Sequence, residues 1–276
     1  MVQRTKSYFY ADSTDLELSD DILFPYAWDE WMCRQLTSDS PSYIHVWQHP
    51  KAIVLGLRDR QLPGIDQAIS WLENQGYVVA VRNSGGAAVP LDTGVVNISL
   101  VIPKSTNTIN FRDDFETMIQ LLREILAPWT STIQTGEIKG GYCPGDYDLS
   151  INGRKFCGIA QRRQAHGFVV SAFVNVEGTD SDRASRVRTF YDIASNGKSD
   201  ITFPLVEPER TSSLEELAGV PSVKAFMESL KYHKSVIVSE TQAAKEALNN
   251  VIFPVNQIFE VIKQLKRRYA VEPRIQ

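Results

Sequence analysis

Gly140-Gly-Tyr-Cys-Pro-Gly-Asp-Tyr-Asp-Leu-Ser-Ile-Asn-Gly-Arg-Lys-Phe-Cys-Gly-Ile-Ala-Gln-Arg-Arg163 is the stretch around which the chain is read. Its glycines and the Pro144-Gly145 turn beside Cys143 supply backbone that holds a side chain clear of neighbouring elements. Tyr147, Leu149 and Ile151 then alternate as in a half-buried strand. Asn152-Gly153 is a strong hairpin signal, and Lys155 to Gln161 reads as the returning strand. Such a hairpin can bring Cys143 and Lys155 to one end or face, with the register left open. An ammonium beside a thiol favours the thiolate, the nucleophilic form.

Working outward, the 276 residues are 43% hydrophobic and 22% charged, an ordinary globular composition. A net charge of −4 gives no reason to expect a polyanionic partner, and nucleic acid is disfavoured for lack of a basic face. The basic clusters Arg58-Asp-Arg60, Arg162-Arg163 and Lys266-Arg-Arg268 are short enough to be solvated surface. Cys33, Cys143 and Cys157 are too scattered for a disulfide framework, and none forms a C-x-x-C pair. His45, His49, His166 and His233 show no metal-ligand spacing, so no metal is expected. The first residues lack an apolar signal core, and no window approaches a membrane span. Asn97-Ile-Ser99 matches a glycosylation sequon by chance. The expected location is a reducing cytoplasm.

In chain order, residues 1–20 read as a polar, loosely paired arm. Pro25 opens a helical pattern through Trp28, Met32 and Leu36. Tyr43–Trp47 and Ala52–Leu55 read as strands joined by a short hairpin loop. Ile65–Gln75 reads as an amphipathic helix with Gly76 just past its end. Strands follow at Tyr77–Val81 and Val95–Ile102, the latter with Val96, Ile98, Leu100 and Ile102 on one side. Phe111–Trp129 has helix spacing, and Gly167–Val176 is another apolar strand. Helices are expected over Ala184–Ala194, Pro221–Lys231, Thr241–Leu248 and Val255–Tyr269. Strands mixed with helices and an Asn-Gly hairpin indicate an α+β fold with mixed sheets.

The second stretch able to carry chemistry is Arg82-Asn-Ser-Gly-Gly-Ala-Ala-Val89. A strand opening into Ser-Gly-Gly-Ala lets backbone N–H groups approach a ligand, with Arg82 supplying charge or fixing the loop. Taken alone, the double glycine is equally a tight turn. Dinucleotide and P-loop motifs are absent. Cys33 falls in the first helix and Cys157 among apolar neighbours, on the Lys155 face if the pairing is regular, so both read as core. Cys143, in its turn, is the better nucleophile. His166 reads as a turn residue, and Asp146 and Asp148 as outward polar positions.

These two stretches, with Asp92-Thr-Gly-Val-Val-Asn97 between them, resemble the paired signatures of the lipoate–protein ligase and octanoyltransferase superfamily. Gly141-Tyr-Cys-Pro-Gly-Asp-Tyr-Asp-Leu-Ser150 and Val54-Leu-Gly-Leu-Arg58 are most similar to its octanoyl-[GcvH]:protein N-octanoyltransferase branch. The similarity spans roughly residues 25–195. It implies a biotin/lipoate protein ligase-like catalytic fold, α+β with mixed sheets and flanking helices. One catalytic domain would span residues 1–276, with C-terminal helices over about 213–270 packed on it.

Carried over, Cys143 is the acyl-thioester nucleophile and Lys155 its thiolate-stabilising, carbonyl-orienting partner. Arg82, Ser84, Gly85, Gly86, Ala87, Ala88 and Gly158 line the acyl site. Cys157 departs from the usual small residue at its position. No cofactor is implied. The implied donor is octanoylated glycine cleavage H protein, and the acceptors are lipoyl domains of 2-oxo acid dehydrogenases. An amide donor has a poor leaving group, so a thiolate must attack and the departing amine must be protonated. The alternatives are a transferase from octanoyl-acyl-carrier protein to the H protein, an ATP-dependent lipoate ligase, and a non-catalytic lipoyl-domain binder. The chain's end soon after the shared region favours a transferase over a ligase with an accessory domain.

Overall fold

The structure, a computed structural model, describes residues 7–14, 21–104, 111–198, 201–238 and 253–269. The first part runs β1 (Tyr8–Asp12), α1 (Phe24–Gln35), β2 (Ser42–Trp47), β3 (Lys51–Leu55), α2 (Ile65–Glu73), β4 (Val78–Val81), β5 (Val89–Asp92) and β6 (Val95–Pro103). Then come α3 (Phe111–Leu126), β7 (Gln134–Thr135), β8 (Leu149–Ile151), β9 (Arg154–Arg163), β10 (Gly167–Asn175) and α4 (Asp180–Ser195). The chain closes with α5 (Leu214–Ala218), α6 (Val223–Lys231), β11 (Val236–Ile237) and α7 (Val255–Tyr269). An eight-stranded sheet has the order β11-β1-β2-β6-β10-β9-β8-β7, and a three-stranded sheet the order β4-β3-β5. Both are mixed, because α1 and α2 each return the chain to a strand parallel with the one before it or its neighbour.

Strand alternation sorts the large sheet's two faces. Val96, Ile98, Leu100 and Ile102 of β6 pack against Met118, Ile119 and Leu122 of α3. The opposite face carries Val101 and Val169 against α1 and α7. Next to these, Asn97 pairs with Phe173 and Phe173 with Gly158, while Ser99 pairs with Ser171 and Ser171 with Ala160. These two cross-strand rows become one floor of a cavity. Pro25 lies in the first turn of α1, where its missing N–H costs nothing.

Three expectations from the sequence change. Tyr8–Asp12 is not part of a loose arm but a strand held parallel between β2 and β11. Strands β2 and β3 do not form a hairpin: β2 pairs with β1 and β6, and β3 with β4 and β5. The turn at His49-Pro50 carries the chain from one sheet to the other. Ala52, Ile53, Val54 and Leu55 are all fully buried, as befits the centre of a sheet covered on both faces. β5, over which no strand is expected from the sequence, completes the small sheet. The helix expected over Thr241–Leu248 lies outside the described residues. Among the described residues, no helix is long and apolar enough to cross a membrane.

Candidate active site

Beyond β4 the chain turns back around its own arginine. The Arg82 guanidinium donates to the carbonyls of Gly85 (3.2 Å), Val54 (3.0 Å) and Ala87 (2.7 Å), so one planar fork shapes the whole loop. Its Nη2 also lies 3.5 Å from Cys143 Sγ, and the Ala87 N–H donates to the same sulfur at 3.3 Å. Burial works against the Arg82 charge, yet the acidic groups around it, Cys143 first, then Tyr26, Asp59 and Tyr191, hold its pKa above the ordinary guanidinium value. Gly86 takes φ = +101°, and a Cβ there would stand 2.8 Å from Cys143 Sγ. The Ala88 N–H is turned away and donates to Tyr191 Oη at 3.0 Å.

Cys143 sits in a left-handed backbone conformation, φ = +48°, that costs a non-glycine residue roughly 1–3 kcal/mol. Its neighbours hold it there. Tyr142 is fully buried and stacked on Phe173; its hydroxyl donates to Asp180 at 3.2 Å and accepts from Asn175 at 2.7 Å. From below, the Lys155 ammonium donates to the carbonyls of Tyr142 (2.9 Å) and Cys143 (2.6 Å) and pairs with Asp148 at 2.8 Å. Those bonds occupy all three of its protons. The hairpin therefore brings Lys155 to Cys143, but to its carbonyl side, and Arg82 is the cation at the sulfur.

Asn152 and Gly153 both have positive φ, as the two-residue hairpin requires. Between β8 and β9, however, Leu149 faces Cys157 while Ser150 faces Lys155, a register shift of one residue. The irregularity separates Lys155 from the face of Cys157, so the two do not share a face as regular pairing would demand. Lys155 ends beside Gly158, where a Cβ would lie 3.3 Å from Nζ and 2.4 Å from the Phe173 ring. Cys157 goes into the core under α3.

Asp148 is not an outward polar residue. It is 1% exposed, accepts the Gly145 N–H at 3.1 Å and faces Lys155. Burial pushes its carboxyl up to about 6, against the opposing pull of Lys155 and Gly145. Asp146 and His166 are exposed. Burial also pushes the Cys33 and Cys157 thiols well above the ordinary cysteine value, with Asp29 and Asp148, respectively, adding to it. Both are fully buried, whereas Cys143 is half-buried.

Cys143 opens onto a cavity of about 370 Å³. Of the residues expected from the sequence, Arg82, Ser84, Gly85, Gly86, Cys143 and Gly158 line it; Ala87 lies against the sulfur, and Ala88 and Lys155 lie behind the wall. The sequence did not single out Tyr26, Trp47, Phe115, Tyr147 or Phe173 as its aromatic walls. Only Tyr147 carried a cue, its alternation with Leu149. Among the described residues, no group of three or more His, Cys, Asp or Glu side chains could hold a metal ion. The arrangement presents one thiol, with a cation and an N–H at its sulfur, to an apolar cavity of the size that takes a small organic group.

Residues 21–234 match the lipoyl protein ligase A/B catalytic domain. The chain belongs to this family. Among its curated relatives is a lipoyl-[GcvH]:protein N-lipoyltransferase of Listeria monocytogenes, 37% identical over 86% of this chain and 88% of the relative. Another is an octanoyl-[GcvH]:protein N-octanoyltransferase of Geobacillus kaustophilus, 44% identical over 70% of this chain and 69% of the relative. The fold of the lipoyl protein ligase A/B domain is evident in solved structures. A lipoate-protein ligase A bound with ATP superposes with a TM-score of 0.64 at 16% identity, covering 91% of this chain and 95% of the other. The bipartite lipoate protein ligase of Thermoplasma acidophilum gives a TM-score of 0.62 at 16% identity, over 91% and 93%. The α+β architecture with mixed sheets is thus that of the lipoate-ligase catalytic domain.

Proposed function

We propose that this chain is an octanoyl-[GcvH]:protein N-octanoyltransferase, an acyltransferase of protein lipoylation that works through a thioester on Cys143. The relatives' activity supports the octanoyl group and its H-protein donor. The observation that carries the thioester is the sulfur's setting: Cys143 alone of the three cysteines lines the cavity, and Ala87 N–H and Arg82 converge on its sulfur.

Cys143 Sγ attacks the carbonyl carbon of the octanoyl-lysine amide, and the carbonyl electrons move to oxygen. The oxyanion lies at the Arg82 loop, where the guanidinium and the Ala87 N–H converge beside the sulfur. It collapses as the C–N bond breaks, and the departing lysine nitrogen takes the proton that the thiol gave up. The neutral lysine amine of an acceptor then attacks the thioester carbon, the C–S bond breaks, and the proton that the nitrogen loses passes to the departing sulfur, restoring the thiol. Acceptors are lipoyl domains of 2-oxo acid dehydrogenases, and the reaction belongs to the reducing cytoplasm, where a free thiol persists.

The reading requires ping-pong kinetics and complete loss of transfer in Cys143→Ala. Transfer at the wild-type rate by that variant, from octanoylated H protein to a lipoyl domain, would refute it. A second reading, lipoyl rather than octanoyl as the group moved, is favoured by the Listeria relative. Competition between octanoylated and lipoylated donors separates the two. ATP-dependent loading of free lipoate, unchanged by loss of Cys143, would instead mark a ligase.

A further inference from the structure

The mechanism gives no task to Asp148, a buried carboxyl beside the Cys143 turn. Asp148 is the residue before β8, it is 1% exposed, and its partner Lys155 is 0% exposed. A carboxylate and an ammonium out of water together cost several kcal/mol in desolvation, and hydrophobic residues fill such space at least as stably. The pair therefore calls for a reason beyond stability. Its geometry supplies one. Lys155 Nζ lies 2.8 Å from Asp148 Oδ2, 2.6 Å from the Cys143 carbonyl and 2.9 Å from the Tyr142 carbonyl. Asp148 Oδ2 also accepts the N–H of Gly145, two residues beyond Cys143. The carboxylate thus grips the Cys143 turn from both ends, directly at Gly145 and through Lys155 at the carbonyls of Tyr142 and Cys143. Between those grips Cys143 adopts φ = +48°.

Resting on the reading of Cys143 as nucleophile, we propose that Asp148 is a positioning residue: its ion pair with Lys155 locks the left-handed Cys143 turn that presents the sulfur, and protonation of Asp148 releases the lock. The titratable groups around Asp148 are Lys155 and Cys157 on β9 and Glu137 on the segment leading to Cys143. Lys155 favours the carboxylate, while Glu137 opposes it. Burial, the largest influence, places the carboxyl at about 6, so the lock opens as pH falls through that value. The sign for stability is opposite. A carboxyl with a native pKa above its unfolded value of about 3.9 favours the folded chain below that pH, and this contribution is lost as pH rises through the native pKa. Acid therefore slackens the turn without unfolding the protein through this group. Structural loss and positional loss then run in different directions with pH.

The test is single-turnover acylation of the full chain by octanoylated H protein, with iodoacetamide alkylation of Cys143 followed in parallel by peptide mass spectrometry across the pH range. Wild type should show an acid limb in both rates with a midpoint of about 6. Asp148→Asn, which keeps an oxygen for the Gly145 N–H, should slow acylation about 10²-fold at neutral pH, the cost of a misplaced reacting atom, with KM for the donor unchanged and the inflection at about 6 gone. An adduct that forms at wild-type rate in Asp148→Asn, with that inflection retained, overturns the proposal and leaves the thioester reading standing. No adduct on wild-type Cys143 under any condition overturns the thioester reading itself. Should Asp148→Asn fail to fold, side-chain carboxyl NMR on wild type decides. A midpoint of about 6 that tracks the Cys143 alkylation rate supports the lock; an ordinary carboxylate midpoint with no such coupling overturns it.

Discussion

The loop after β4 and the hairpin after Cys143 each bring a cation to the same residue, and they use it differently. Arg82 spends its fork on the carbonyls of Val54, Gly85 and Ala87 and still reaches the sulfur with Nη2. Lys155 spends its ammonium on two carbonyls and a carboxylate beneath the turn. The difference follows from their chemistry. A planar five-donor guanidinium can shape a loop and keep a donor for the site, whereas three ammonium protons are used up by the turn they hold. One wall thus sets the charge at the sulfur, and the other sets where the sulfur stands.

Breaking the hairpin wall should have the largest effect on folding. Lys155→Met removes the ammonium and strands Asp148 as a buried charge, costing about 3–5 kcal/mol in urea unfolding and abolishing transfer. A variant as stable as wild type would show the pair to be unimportant to the turn. Arg82→Lys keeps a charge in the loop wall but loses the fork. Transfer should fall about 10²- to 10³-fold, as when an oxyanion donor is removed, with a smaller loss of stability than in Lys155→Met. Equal stability losses in the two variants would erase the division of labour between the walls. Gly86→Ala places a Cβ at positive φ and 2.8 Å from the sulfur, so it should cost about 1–3 kcal/mol and slow alkylation of Cys143. Unchanged alkylation would mean that the loop yields freely. Cys157→Ala, on the far face of β9, should lose only about 1–2 kcal/mol to a small cavity and transfer octanoyl as wild type does. A large fall in transfer would make Cys157 part of the chemistry.

Much of this comparison was legible in the residues. Asn152-Gly153 dictated its hairpin because its two positive-φ positions suit Asn and Gly. The strand ending at Val81 and the glycines after it indicated a loop that could approach a ligand. What stayed hidden depended on pairing between distant strands. The His49-Pro50 turn looks like a hairpin loop locally, and only the partners β6 and β5, each more than thirty residues away, send its strands to different sheets. The alternation of Asp146, Tyr147 and Asp148 put both carboxylates outside, but it gave no hint of the register shift beside Leu149 or of the buried lysine that draws Asp148 inward. Phe173 and Trp47 read simply as apolar strand residues, since a cavity is made by what fails to pack against a face rather than by the face itself.

On this reading the two walls present Cys143, and no other cysteine, to the acyl donor. Mass spectrometry of the intact chain and its peptides, quenched in acid during turnover with octanoylated H protein, tests it most directly. One octanoyl adduct is expected, on the Cys143 peptide and released by hydroxylamine, and it disappears when a lipoyl domain is added. Transfer proceeding with no adduct, or with the adduct on Cys33 or Cys157, would contradict it.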